Sequence, residues 1–352
     1  MKITRVAYER LDLALSVPYT IAYETVSHTS NFILKLETDS LLAGYGCAAP
    51  DLEVTGETAE KTQEVIEQTV LPFLKGHSPF TYTRILEELK SLCPDSPSVL
   101  SMVDMALLDL VSKKAGVPLY QYLGGFQDSI ETSITIGIMS MRDTLSMAKE
   151  YTKRGFRILK IKGGIDLEED IGRMIRLREE FPHAILRFDG NQGYSVKDSI
   201  AFVRATQHVG IQIFEQPTKT KTDHTLGEVT HAVGIPVMAD ESLKTLDDAF
   251  RLAQHDLIDM VNIKLMKVGG ILEGMHINSV AKSAGLEAMV GCLDECALGI
   301  SAGLHFALSR PNVHFADLDG HLDLENDPFR GLFELREGIL YPSEEPGLGY
   351  RE

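Results

Sequence analysis

The sequence predicts an α/β fold: a parallel (β/α) barrel preceded by a smaller α+β module. Two observations carry this. First, from Lys162 onward short apolar runs recur at a near-constant interval. Their ends, at Lys162, Asp189, Glu215, Asp240, Lys264, Gly291 and Asp317, stand 27, 26, 25, 24, 27 and 26 residues apart. Each interval holds an amphipathic stretch with helical spacing, as at 196–208 and 246–253, and strand–helix repeats of this kind close into barrels. Second, residues 1 to about 120 lack that rhythm. Residues 2–10 and 31–37 alternate like antiparallel strands, 40–46 continues in that style, and 58–74 and 97–115 read as helices.

The elements in order give a capping module at 1–120, the barrel at 121–325 and a tail at 326–352. The first barrel strand is expected at 133–138 and the next ends in Lys160-Ile161-Lys162. The polar stretches at about 16–30 and 47–56 read as loops that form a lid over the barrel mouth. The tail, broken by Pro342, Pro346, Gly347 and Gly349, is unsuited to a barrel element.

With 352 residues and 44% hydrophobic content, the chain has ample core. Its net charge of −17 leaves no basic stripe for nucleic acid or an anionic membrane. No apolar run approaches the length of a membrane span, and Met1-Lys2-Ile3-Thr4 opens no charged n-region followed by an apolar h-region, so no signal peptide is expected. The cysteines at 47, 93, 292 and 296 form no C-x-x-C pair, so reduced thiols and a cytoplasmic protein are expected.

Chemistry is expected at the C-terminal ends of the strands, where barrels place their active sites. Lys160 and Lys162 lie two apart on one strand and project to the same face. Their mutual repulsion and burial should lower the pKa of at least one. Asp189, Glu215 and Asp240 end three consecutive strands, and Lys264 the next. Singly each acid reads as a helix N-cap; in register, three carboxylates suit a hard divalent cation. No histidine or cysteine stands with them, which disfavours zinc. Asn191 and Glu241 are placed to orient the ligands.

The set Lys160-Ile161-Lys162, Asp189-Gly190-Asn191, Glu215-Gln216-Pro217, Asp240-Glu241 and Asn262-Ile263-Lys264 resembles the enolase superfamily, muconate-lactonising subgroup, over nearly the whole chain. The resemblance implies an enolase-like fold, with an N-terminal α+β capping domain, a modified TIM barrel (β/α)7β and a tail packing back on the cap. It implies one Mg²⁺ per subunit on Asp189, Glu215 and Asp240. Lys162 and Lys264 then act as catalytic groups from opposite faces of the substrate, and Lys160 adds positive charge. A base on each face permits racemisation or epimerisation. An acid-sugar dehydratase of the superfamily would carry a histidine after the seventh strand, where this chain has Met289-Val290-Gly291-Cys292.

Asp317 and Asp319 at the end of the eighth strand resemble the D-x-D of the dipeptide epimerases, which binds the substrate's α-ammonium group. Thr135 matches a substrate-contacting position there. Where the family's Ala-Glu epimerases carry an arginine, this chain aligns Glu24. With Asp51, Glu53 and Asp294 it would make an acidic mouth, favouring a cationic or otherwise non-acidic dipeptide inverted at its C-terminal residue. The alternatives are an L-Ala-D/L-Glu epimerase, a muconate cycloisomerase, an o-succinylbenzoate synthase, an N-acylamino acid racemase, and a non-catalytic binding protein on the same barrel. The expected partner is a small dipeptide, and a homo-oligomer is left open.

Overall fold

A computed structural model describes residues 1–22, 25–220 and 223–351. The capping module is an antiparallel sheet of β1 (Ile3–Thr20), β2 (Thr25–Thr38) and β3 (Ala43–Ala48), in that order. The helix Pro97–Ala115 lies across β3. Gly44 and Gly46 face it, and a Cβ on Gly46 would stand 1.9 Å from the Met102 carbonyl oxygen. Only glycine permits so close an approach. Phe32, Leu34 and Leu36 from β2 pack with Ile85, Leu89, Val103 and Leu107 in a separate apolar core for the cap.

The structure corrects the expectation of a polar loop at about 16–30. β1 and β2 continue past the core as a hairpin, paired at Leu13 with Thr29 and at Tyr19 with Val26, with a register break between Ala14 and Tyr19. The alternation is faint in sequence because the core-facing Leu13 and Leu15 give way, across the register break, to Val17, Tyr19 and Ile21, whose inward side chains line a pocket.

After a short strand β4 (Ile130–Glu131) comes the barrel. Its parallel strands are β5 (Ile134–Ile136), β6 (Ile158–Lys162), β7 (Ile185–Asp189), β8 (Ile211–Glu215), β9 (Val237–Ala239), β10 (Met260–Lys264), β11 (Glu287–Gly291) and β12 (Val313–Asp317), hydrogen-bonded in sequence order. The Ser133 N–H donates to the Ala316 carbonyl at 3.1 Å and brings the two ends of the sheet together. The first strand is shorter than expected, and residues 235–236 precede β9 rather than belong to it. The helix expected at 196–208 ends at Ala205.

Period two explains the barrel interior. Ile213, Met238, Met260 and Met289 form an apolar floor with Phe315. Two residues further along the same faces stand Glu215, Asp240, Asn262, Gly291 and Asp317. A dry floor thus supports a polar top.

In the tail, β13 (Phe333–Arg336) and β14 (Ile339–Pro342) form a hairpin that pairs with β4. The last residues reach the cap. The Leu348 N–H donates to Asp109 at 2.8 Å, and Tyr350 meets the Tyr45 ring edge to face. No helix of the described residues is long and apolar enough to cross a membrane.

Candidate active site

Five adjacent strands present, at their C-terminal ends, lysine, aspartate, glutamate, aspartate and lysine. Lys162 ends β6, Asp189 ends β7, Glu215 ends β8, Asp240 follows β9 and Lys264 ends β10. Strand pairing sets Lys162 beside Asp189 and Asp189 beside Glu215. One carboxylate oxygen from each acid lies within 4.8 Å of the others. The lysines bracket this trio. Lys162 Nζ donates to Asp189 Oδ2 at 2.7 Å, and Lys264 Nζ lies 2.7 Å from Asp240 Oδ2 at the opposite end. Lys160 is enclosed between them, 2.8 Å from both Glu215 and Asp317 and 3.2 Å from Asp189.

The depressed pKa expected of one lysine of the K-x-K pair is not found at Lys160, and Lys264 behaves in the same way. Burial pulls both down, but the carboxylates outweigh it: Asp317, Glu215 and Asp189 hold Lys160 well above its ordinary value, and Asp240 does the same for Lys264. The repulsion expected of K-x-K is overwhelmed by a denser ring of opposite charge. Among the acids, burial and the Asp189 charge push Glu215 up to about 7. Lys264 and Lys267 draw Asp240 well below its usual range despite its burial.

The trio fits a hard divalent cation by its donors, which are carboxylate oxygens without nitrogen or sulfur. Two buried oxygens in the pocket wall, Asn191 Oδ1 and Glu241 Oε2, have no hydrogen-bond partner among the described residues. They are available to order water around an ion. The groups that orient the trio are others. Asn262 Nδ2 donates to Glu215 at 2.8 Å, and Lys267 Nζ donates to Asp240 Oδ1 at 2.6 Å and to the Asp240 carbonyl. Gln216 Oε1 accepts the Asp240 and Ser242 N–H groups, which ties the end of β8 to that of β9. Asn191 reaches Asp189 only through its backbone N–H, at 2.9 Å. Asn191, at φ 40° and two residues after Asp189, and Gln216, at φ 30° and directly after Glu215, take left-handed backbone, strain of the kind that gathers at functional sites.

Sequence reasoning assigned no role to Asn262, Gln216 or Lys267. The first carried a signal, since it shares a strand face with Lys264; the others are visible only through contacts between strands.

The remaining predicted residues divide. Thr135, Asp51, Asp294, Asp317 and Asp319 line the pocket with the lysines. Asp317 accepts from Ser133 Oγ at 2.7 Å, and its proximity to Lys160 prevails over burial to hold it at about 2. Asp319 accepts the Thr135 N–H at 2.6 Å; burial and Asp317 push it up to about 7. Tyr19 of the lid hairpin donates to Asp294 at 2.8 Å, and Asp51 caps its own loop by accepting from the Glu53 and Val54 N–H groups. Glu53 is a correction: it is exposed and outside the pocket wall. Glu24 lies outside the described residues. Asp323, not anticipated, also lines the pocket.

Residues 4–124 match the mandelate racemase / muconate lactonizing enzyme N-terminal domain, and residues 143–351 match the enolase C-terminal domain-like family. The chain therefore belongs to the mandelate racemase / muconate lactonizing enzyme family of enolase-like proteins. Within it, the chain falls among the dipeptide epimerases. It is 41% identical to an L-Lys-D/L-Arg epimerase of Desulforapulum autotrophicum, over 100% of this chain and 99% of that protein. A substrate-liganded L-Ala-D/L-Glu epimerase from Bacillus subtilis superposes with a TM-score of 0.97 at 36% identity, covering 99% of this chain and 98% of that one. A dipeptide epimerase from Methylococcus capsulatus, complexed with Mg and L-Arg-D-Lys, gives 0.94 at 37% identity, covering 99% of each.

Proposed function

We propose that this chain is an Mg²⁺-dependent dipeptide epimerase that inverts the α-carbon of the C-terminal residue and prefers cationic dipeptides. The reading of the reaction rests on one observation: Lys162 and Lys264 approach the carboxylate trio from opposite ends, each 2.7 Å from its outer member. Asp189, Glu215 and Asp240 would hold the ion. When bound there, Mg²⁺ supplies positive charge against the substrate carboxylate as a second negative charge develops on it. One lysine, as the neutral amine, removes the α-proton and the other, as the ammonium, returns a proton to the opposite face, so no net charge or atom is lost. Lys160 stays protonated and adds positive charge from below. Asp317 and Asp319 receive the α-ammonium group.

The preference for cations rests on the wall. Among the described residues, its cations are Lys160, Lys162 and Lys264, all at the metal end, while Asp51, Asp294, Asp319 and Asp323 line the rest. An acidic side chain would meet repulsion there and a basic one attraction. The four free cysteines and the charge of −17 support a cytoplasmic enzyme acting on a small molecule.

Mass spectrometry of pooled L,L-dipeptides incubated with enzyme and Mg²⁺ in D₂O tests the reading, because inversion leaves one deuterium in each turned-over molecule. Labelling of Lys- and Arg-containing members with Ala-Glu unlabelled is the expected result. Labelling of Ala-Glu alone would refute the preference, and no labelling at all would refute the reaction.

A further inference from the structure

We propose that Asp323 reads the side chain of the dipeptide's first residue and selects a cationic one. This rests on the cationic-dipeptide reading above and adds which residue enforces it, and at which end of the substrate. The substrate's α-ammonium belongs beside Asp317 and Asp319, so the first residue's side chain must branch from the backbone next to the loop that follows β12. In that loop the Leu322 N–H donates to the Asp319 carbonyl at 2.9 Å, and the turn returns Asp323 to the pocket wall. Tyr151 lies within electrostatic reach of both Asp319 and Asp323. Its ring, with Met147 and Val17, provides an apolar flank for a chain of methylenes leading to a charge.

What separates Asp323 from its neighbours is that its carboxylate is uncommitted. Asp319 accepts from Thr135, Asp294 from Tyr19 and Asp51 from its own loop. No described residue hydrogen-bonds or ion-pairs with the Asp323 side chain; Arg154 is close enough to influence its charge without forming a bridge. The backbone, by contrast, is pinned. The Ser16 N–H donates to the Asp323 carbonyl at 2.8 Å, and Leu15 bridges to Leu324 in the root of the lid hairpin. A fixed backbone carrying an unpaired acid at the pocket wall is preorganised for a ligand cation.

The test compares L-Lys-L-Arg with L-Ala-L-Arg as substrates of the wild type and Asp323→Asn, each with Mg²⁺. The expected result is a loss of about tenfold in kcat/KM for Lys-Arg, carried mainly by KM, with less than about twofold change for Ala-Arg. Activity on Ala-Arg also reports that the variant is folded. Equal losses on both substrates would overturn the role of Asp323 while leaving the cationic preference standing. A wild type that turns over neither substrate would overturn both.

Discussion

Lys162 and Lys264 occupy equivalent places on either side of Glu215, two strands away in each direction, and this symmetry makes a prediction about single residues. On the proposed roles, Lys264→Ala and Lys162→Ala each reduce epimerisation by on the order of 10²–10⁴-fold. Each variant should still exchange the α-proton of one epimer in D₂O without inverting it, and the two variants should differ in which epimer exchanges. Exchange of both epimers by one variant would contradict a base on each face. Asn262 acts one contact further out, through Glu215. Asn262→Ala should weaken Mg²⁺ binding by about 10–100-fold, measured by titration calorimetry. The lysines and acids were legible in the sequence because a barrel strand ends where its apolar run ends, so chemistry and periodicity coincide. Asn262, Gln216 and Lys267 were harder to read because each gains its meaning from a partner on another strand or loop, 47, 24 or 27 residues away.

At the scale of elements, the cap depends on a strand and a helix in unusually close contact. A methyl group added at Gly46 meets backbone, which cannot yield as the tip of a side chain would. Gly46→Ala should therefore cost about 1–3 kcal/mol by overpacking, read as a lower denaturant midpoint, with metal affinity little changed. The helix at 97–115 was legible to the residue, since its apolar positions are packed on nearly all sides and Gly116 ends it. The lid hairpin was not. Past Leu15 its inward side chains line a pocket rather than the core, which blurs the alternation by which strands are recognised, and Pro18 within it reads as a break.

For the whole molecule, stability should depend on metal and on pH. Mg²⁺ at about 100 times its Kd should add about 2.7 kcal/mol through binding to the native state, seen as a rise in Tm that Asp240→Asn abolishes. Acid acts through His305, buried in the helix Ala297–Leu308, where it accepts the Tyr120 N–H at 3.0 Å. Burial lowers its pKa from 6.5 to about 3. The unfolded chain takes up this proton near pH 6.5 and the folded one only near 3. The contribution is thus intact above 6.5 and is lost progressively below it, amounting to about 2 kcal/mol by pH 5. Denaturation of wild type and His305→Gln at pH 7.5 and pH 5 should show an acid-induced loss smaller in the variant by about that amount.

The hairpin that roofs the pocket is a continuation of the strands that hold the cap together, and this shapes how the enzyme can diversify. Val17, Tyr19 and Ile21 follow a two-residue beat along β1 and its tip, and with Val26 they line the pocket. The intervening Pro18 and Thr20 belong to the opposite face. Among the described residues of this roof, selection for a new substrate therefore has few letters to rewrite. A combinatorial library confined to those four positions would sample the roof while leaving the machinery below it untouched.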